Sequence, residues 1–196
     1  MKSLLLALPL FLPFLTAQAA ETGHSHTSPY AGQETRLIKS LSPEDIAELR
    51  RGGGWGLAKA AELNGLPGPA HLLEMKDEIA LDAAQLEAIT RIRDRMKAAA
   101  IEEGERLIGL EQALETQFRD GTVTDESLRA ALDDIAASRR NLRYIHLSAH
   151  LETPEILSPA QIRKYNELRG YAAASPCDAV PEGHAPAMWR KHNGCD

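Results

Sequence analysis

His146 and His150 stand four residues apart in a run with helical apolar spacing, which puts two imidazoles on one helix face. Two imidazoles can hold Zn²⁺, Ni²⁺ or copper when a third ligand arrives from elsewhere. Pairing the two long helical stretches of the chain about residues 121–122 brings Met96 opposite them, a thioether suited to a soft ion. Arg93 falls in the same place and would repel a cation, and two ordinary surface histidines are the competing reading. His24 and His26 near the start, with His184 and His192 near the end, are widely spaced ligands that an ion would have to order on binding. His71 and Met75 also lie four apart, a pattern that suits packing at a helix start better than ligation.

The same pairing sets Arg91, Arg93, Arg95 and Lys97 of the first stretch near Arg139, Arg140 and Arg143 of the second. A cationic belt beside apolar stripes would speed capture of acidic, partly unfolded chains, which apolar contacts would then hold. The alternative is a solvated face balanced by Asp94, Glu102, Glu103 and Glu105. Gly52-Gly53-Gly54-Trp55-Gly56 lacks both the following Lys-Ser/Thr and the preceding strand of a phosphate loop, and reads as a hinge with Trp55 packed on the helices. No Ser or Cys lies in a nucleophile elbow, so the residues point away from an enzyme and from any organic cofactor.

The elements that must position these residues are helices. Aromatics are 5% of the chain, Val is rare, and Ala, Leu, Glu and Arg abound, a composition that favours an all-α fold. Leu157-Ser158-Pro159-Ala160-Gln161-Ile162 is a helix start: Ser158 caps, Pro159 takes the first helical position, Gln161 reaches back to the cap, and Leu157 and Ile162 form a staple. Leu81-Asp82-Ala83-Ala84-Gln85-Leu86 repeats it, and so does Leu41-Ser42-Pro43-Glu44-Asp45-Ile46. Apolar spacing predicts one long helix from Asp82 to about Phe118, a break at Asp120-Gly121, and a second from Thr124 or Asp125 to Glu152. A short turn between two such stripes implies a long antiparallel helical hairpin. Shorter helices are expected over 43–51, 55–64, 70–80 and 159–169, the flanking segments 20–40 and 172–196 being mobile.

Residues 1–19 have one Lys, an apolar run broken by Pro9 and Pro13, and an A-x-A pattern at Ala17 and Ala19, and read as a cleaved signal peptide. The mature chain is then expected to be exported, most simply to a bacterial periplasm, with no membrane span. Cys177 and Cys195 would pair in an oxidising compartment, closing a loop that stabilises the tail by roughly 3 kcal/mol, with two free thiols as the alternative. A net charge of −6 argues against nucleic acid as a partner.

Ala149-His150-Leu151-Glu152-Thr153 followed by Ile156-Leu157-Ser158-Pro159-Ala160-Gln161, with Leu81–Gln85 about seventy residues earlier, resembles the L-T-x-x-Q proteins of the bacterial periplasm, the Spy/CpxP family. The resemblance covers roughly residues 76–170, with Leu81, Gln85, Leu157 and Gln161 as its motif positions, and Asp82 and Ser158 where the family commonly has Thr. It implies a cradle-like helical domain over 41–171, usually a homodimer, that binds unfolded envelope proteins without ATP or tunes a stress response through a membrane sensor kinase. Related proteins with the same hairpin sense or sequester heavy metals, which keeps a divalent metal or copper as the rival ligand.

Overall fold

The computed structural model describes residues 27–172, 177, 180 and 183–195. The signal segment 1–19, His24 and His26 lie outside the described residues. The chain divides into Met1–Glu34, described only as the short turns of 27–34, and Thr35–Asp196, which carries the helices. Among the described residues the fold is all-helical, without strands, and no helix is long and apolar enough to cross a membrane.

Each of the three repeated phrases starts a helix with a complete capping box. Ser42 caps α1 (Pro43–Arg50), Asp82 caps α4 (Ala83–Arg119) and Ser158 caps α6 (Pro159–Leu168), with Asp45, Gln85 and Gln161 returning a bond to the respective cap. Thr124 and Ser127 do the same for α5 (Asp125–Glu152). At 1.5 Å per residue, α4 is roughly 55 Å long. Its chief packing partner is α5, and α1, α3 (Pro69–Glu74) and the 3₁₀ turn Thr153–Ile156 also lie against it. As the chain climbs α4 from Arg95 to Glu103, the partners descend α5 from Glu152 to Ser138, whose hydroxyl donates to Glu103 at 2.6 Å.

Two apolar clusters hold these elements. In one, Leu107 and Ile108 of α4 meet Ile135 and Leu142 of α5 together with Ile38, Leu41 and Leu49. In the other, Ile89 packs with Leu72, Ile79, Leu157 and the buried Tyr165, whose hydroxyl burial pushes up to about 12. Beside the second cluster two of the phrases meet. The Gln85 and Gln161 side-chain amides donate to each other's oxygens at 2.9 Å, and each donates again to a backbone carbonyl, Gln85 to Ile156 and Gln161 to Ala80. Both oxygens also accept from their own cap, Asp82 N–H and Ser158 N–H, so each amide makes four bonds. The two phrases are halves of one clasp that ties the start of α4 to the start of α6.

Three stretches differ from the sequence reading. The helix expected over 55–64 shrinks to α2 (Lys59–Glu62), because Trp55 at φ +42° and Gly56 at φ +69° are left-handed and cannot begin an α-helix. The helix expected over 70–80 ends at Glu74, and Ala80 at φ +54° turns the chain into the Asp82 cap. Part of the segment read as mobile up to residue 40 is packed: Ile38 is buried, Ser40 donates to Glu111 at 2.7 Å, and Lys39 pairs with Glu115 at 2.7 Å. In the tail, α7 (Pro186–His192) forms, and Cys177 and Cys195 are joined as a disulfide.

Candidate functional site

The outer face of α5 carries an open groove of about 580 Å³ walled by Trp55, Leu57, Arg139, Arg140, Arg143, Tyr144 and Leu147. Its floor is set by a chain of polar contacts beginning at the first phrase. Asp45, besides closing its capping box, accepts from the Trp55 indole N–H at 2.8 Å. That bond, with those from Ser42, holds its carboxyl below the usual range. The Arg139 guanidinium lies 5.3 Å over the Trp55 ring and donates at 2.7 Å to Glu111, a buried carboxylate of α4. Trp55 is thereby pinned in its left-handed conformation against both long helices.

Arg140 reaches only the neighbouring Asn141 amide, at 3.1 Å, and Arg143 has no carboxylate partner among the described residues. Tyr144 beside them is 70% exposed and Leu151, two turns on, 65%. Cation and exposed apolar surface thus alternate along one face of α5. The cations of α4 do not lie together along this belt, although Arg95 shares a small cavity with Tyr144. Residues two apart on a helix point about 200° from each other, so 91, 93, 95 and 97 alternate between two faces. Arg91 pairs with Glu87, Arg93 with Asp94 and Arg95 with Glu152, while Lys97 lies beside Gly52 on the α1 side.

On the other side of α5 lies a second, more enclosed cavity of about 190 Å³. His146, His150 and Met96 all line it, as their spacing and the pairing of the stretches anticipate, and so do His71, Glu62, Gly52–Gly54 and Gly68. Both α5 histidines are buried. His150 Nδ1 lies 2.9 Å from the Leu66 carbonyl, which accepts an N–H there and leaves Nε2 with a free lone pair. A Cβ on residue 68 would stand 2.6 Å from that Nε2, so only glycine lets the ring seat. His146 Nε2 is buried with no hydrogen-bond partner among the described residues. Arg93 is absent from the cavity wall, and among the described residues no three His, Cys, Asp or Glu converge as ligands. His71 sits between Glu74 at 2.9 Å and Glu62 at 3.4 Å, and His184 and His192 line a pocket of the tail with Met188 and Trp189, against which His184 packs edge-on. Gly52 and Gly68 are the sequence signal for this cavity, since the close approach of α4 to one and of the His150 ring to the other leaves no room for a Cβ.

Burial, and secondarily the neighbouring His150, pushes His146 below its ordinary value of 6.5, with Glu48 pulling weakly the other way. The unfolded chain therefore takes up this proton at higher pH than the folded one. The His146 contribution to stability is complete above about pH 6.5 and is lost as pH falls through the folded value. The melting temperature should drop between about pH 7 and about pH 5, and His146→Leu should flatten that slope. Equal slopes in the two proteins would show that His146 does not carry the pH dependence.

No known protein family, curated protein or solved structure matches this chain.

Proposed function

We propose that the chain is an exported, ATP-independent chaperone or envelope-stress adaptor of the Spy/CpxP type. In this reading α4 and α5 form an antiparallel hairpin, a second copy covers part of the surplus apolar surface, and the pair presents a cradle to unfolded envelope proteins in the periplasm. The supporting observation is the α5 groove, where Arg140 and Arg143 lack carboxylate partners among the described residues and stand beside Tyr144, Leu147 and Leu57. Unpaired guanidinium groups attract acidic chains over a distance set by the salt, and an exposed apolar strip of this kind marks an interaction surface.

Purified protein should suppress aggregation of a denatured acidic model client without nucleotide, and less well as salt rises from roughly 50 mM to roughly 500 mM, where the screening length shrinks severalfold. Arg140→Glu with Arg143→Glu should remove the salt-sensitive part, and Tyr144→Ser should weaken suppression at every salt concentration, because apolar contact is not screened. Absence of suppression by the parent protein at any stoichiometry would sink this reading and leave docking on a single partner, such as a membrane sensor kinase, as the adaptor's task.

The second reading, a periplasmic metal sensor or scavenger, is favoured by a separate observation. His146, His150 and Met96 line one cavity, and the lone pair of His150 Nε2 is held ready by the Leu66 carbonyl on the opposite ring nitrogen.

A further inference from the structure

Resting on that metal-binding reading, we infer that the ion taken by the cavity is monovalent copper, held by His146, His150 and Met96. Three features of the walls select it. The donors are two imidazoles, which serve copper, zinc and nickel alike, and a soft thioether, which copper(I) accepts in two- or three-fold coordination and the divalent ions use poorly. No third nitrogen, thiolate or carboxylate ligand converges with the pair among the described residues, whereas zinc sites hold three or four such ligands. Of the neighbours that might supply one, His71 is taken up by Glu62 and Glu74, and Glu62 by Arg169 and Tyr171 as well.

The third feature is charge. Both histidines are buried, and imidazole nitrogens and a thioether ligate as neutral donors, so the ion would enter a site with no ligand charge to offset its own. The cost of burying an ion rises with the square of its charge, which makes a divalent ion about fourfold dearer than a monovalent one in the same walls. His150 is already fixed for ligation by the Leu66 carbonyl, and the buried Nε2 of His146, unpartnered among the described residues, gains a partner in the ion.

The full-length protein, disulfide intact and kept with ascorbate under anaerobic conditions, is titrated with copper(I) against bathocuproine disulfonate, and in parallel with Zn²⁺ and Ni²⁺ against a chromophoric chelator. One equivalent of copper(I) should be retained, with no comparable retention of the divalent ions. Met96→Leu, close to isosteric, should weaken copper affinity about tenfold at an unchanged melting temperature, and His150→Gln should abolish retention. A variant with His24, His26, His184 and His192 all changed to alanine should bind as the parent does. Tighter retention of zinc or nickel than of copper(I) overturns the ion and leaves the metal-binding reading standing. No retained metal of any kind overturns both, and copper lost only from the four-alanine variant overturns the site.

Discussion

Replacing Gln85 by alanine is expected to lower folding stability by about 2–3 kcal/mol, although the side chain is neither charged nor fully buried. Four bonds go at once: the one returned to the Asp82 cap, the pair exchanged with Gln161, and the one to the Ile156 carbonyl. Each is worth about 1 kcal/mol net, and partial access of water to the vacated groups keeps the total below the sum. Gln161→Ala should cost a similar amount, since its amide makes the mirrored set of bonds. The two substitutions act on one unit, so the double variant should be less destabilised than the sum by about 1 kcal/mol. Gln85→Glu is the sharper probe. A carboxylate keeps the acceptor role toward Asp82 N–H but loses both donated bonds and sets an oxygen against Gln161 Oε1. It should therefore fall near the alanine variant. Urea denaturation followed by helical circular dichroism, with the slope unchanged and the midpoint shifted, gives these values. Strict additivity would mean that each glutamine serves only its own helix.

That clasp also marks how far local chemistry carries. Ser42, Asp82 and Ser158 were readable as caps because a cap and its third helical residue answer each other within four positions; their boxes form, and of the pair Thr124 and Asp125 it is Thr124 that caps. The bond between Gln85 and Gln161 spans 76 residues and depends on where α6 lands, which no pattern inside either phrase dictates. The same limit governs the site. His146 and His150 share a face by spacing alone, but the seat of His150 depends on Gly68, in a Pro-Gly-Pro stretch that reads only as a bend. Arg139 stacks on Trp55, whose left-handed backbone contradicts the helix its neighbours suggest and whose ring is held by Asp45. The α4 cations were grouped too broadly, because alternate residues belong on opposite helix faces; of them Arg95 lies beside Tyr144. In the tail, α7 is a short helix within a Gly, Pro and His-rich stretch, and its start has no side-chain cap to announce it.

The largest expected effect belongs to a residue with no side chain. Gly104 lies in the middle of α4, where glycine costs a helix about 1 kcal/mol relative to alanine, so alanine there should stabilise if the helix were alone. It is not alone. A Cβ at Gly104 would stand 2.7 Å from the Leu49 carbonyl oxygen and 3.1 Å from its carbon, and that carbonyl is held in place by the Gly52 N–H at 3.0 Å. A backbone atom so tied cannot swing aside, so α1 must move off α4 as a body. Overpacking of this kind costs about 1–3 kcal/mol, which outweighs the propensity gain for alanine. For valine, with two further methyls and poor helix propensity, the loss should be about 3 kcal/mol or more. Gly109, five residues along the same helix, is exposed and has open space where its Cβ would go. Gly109→Ala should therefore raise stability by about 0.5–1 kcal/mol, the opposite sign from the same chemical change at Gly104. Displacing α1 also drags Asp45 from Trp55 and Trp55 from Arg139, so Gly104→Val should lose client holding along with stability, whereas Gly109→Ala should keep it. Thermal melts of the three variants beside their aggregation-suppression curves test both halves. A Gly104→Ala protein as stable as Gly109→Ala would show that α1 is not clamped on α4 and that the groove does not depend on that crossing.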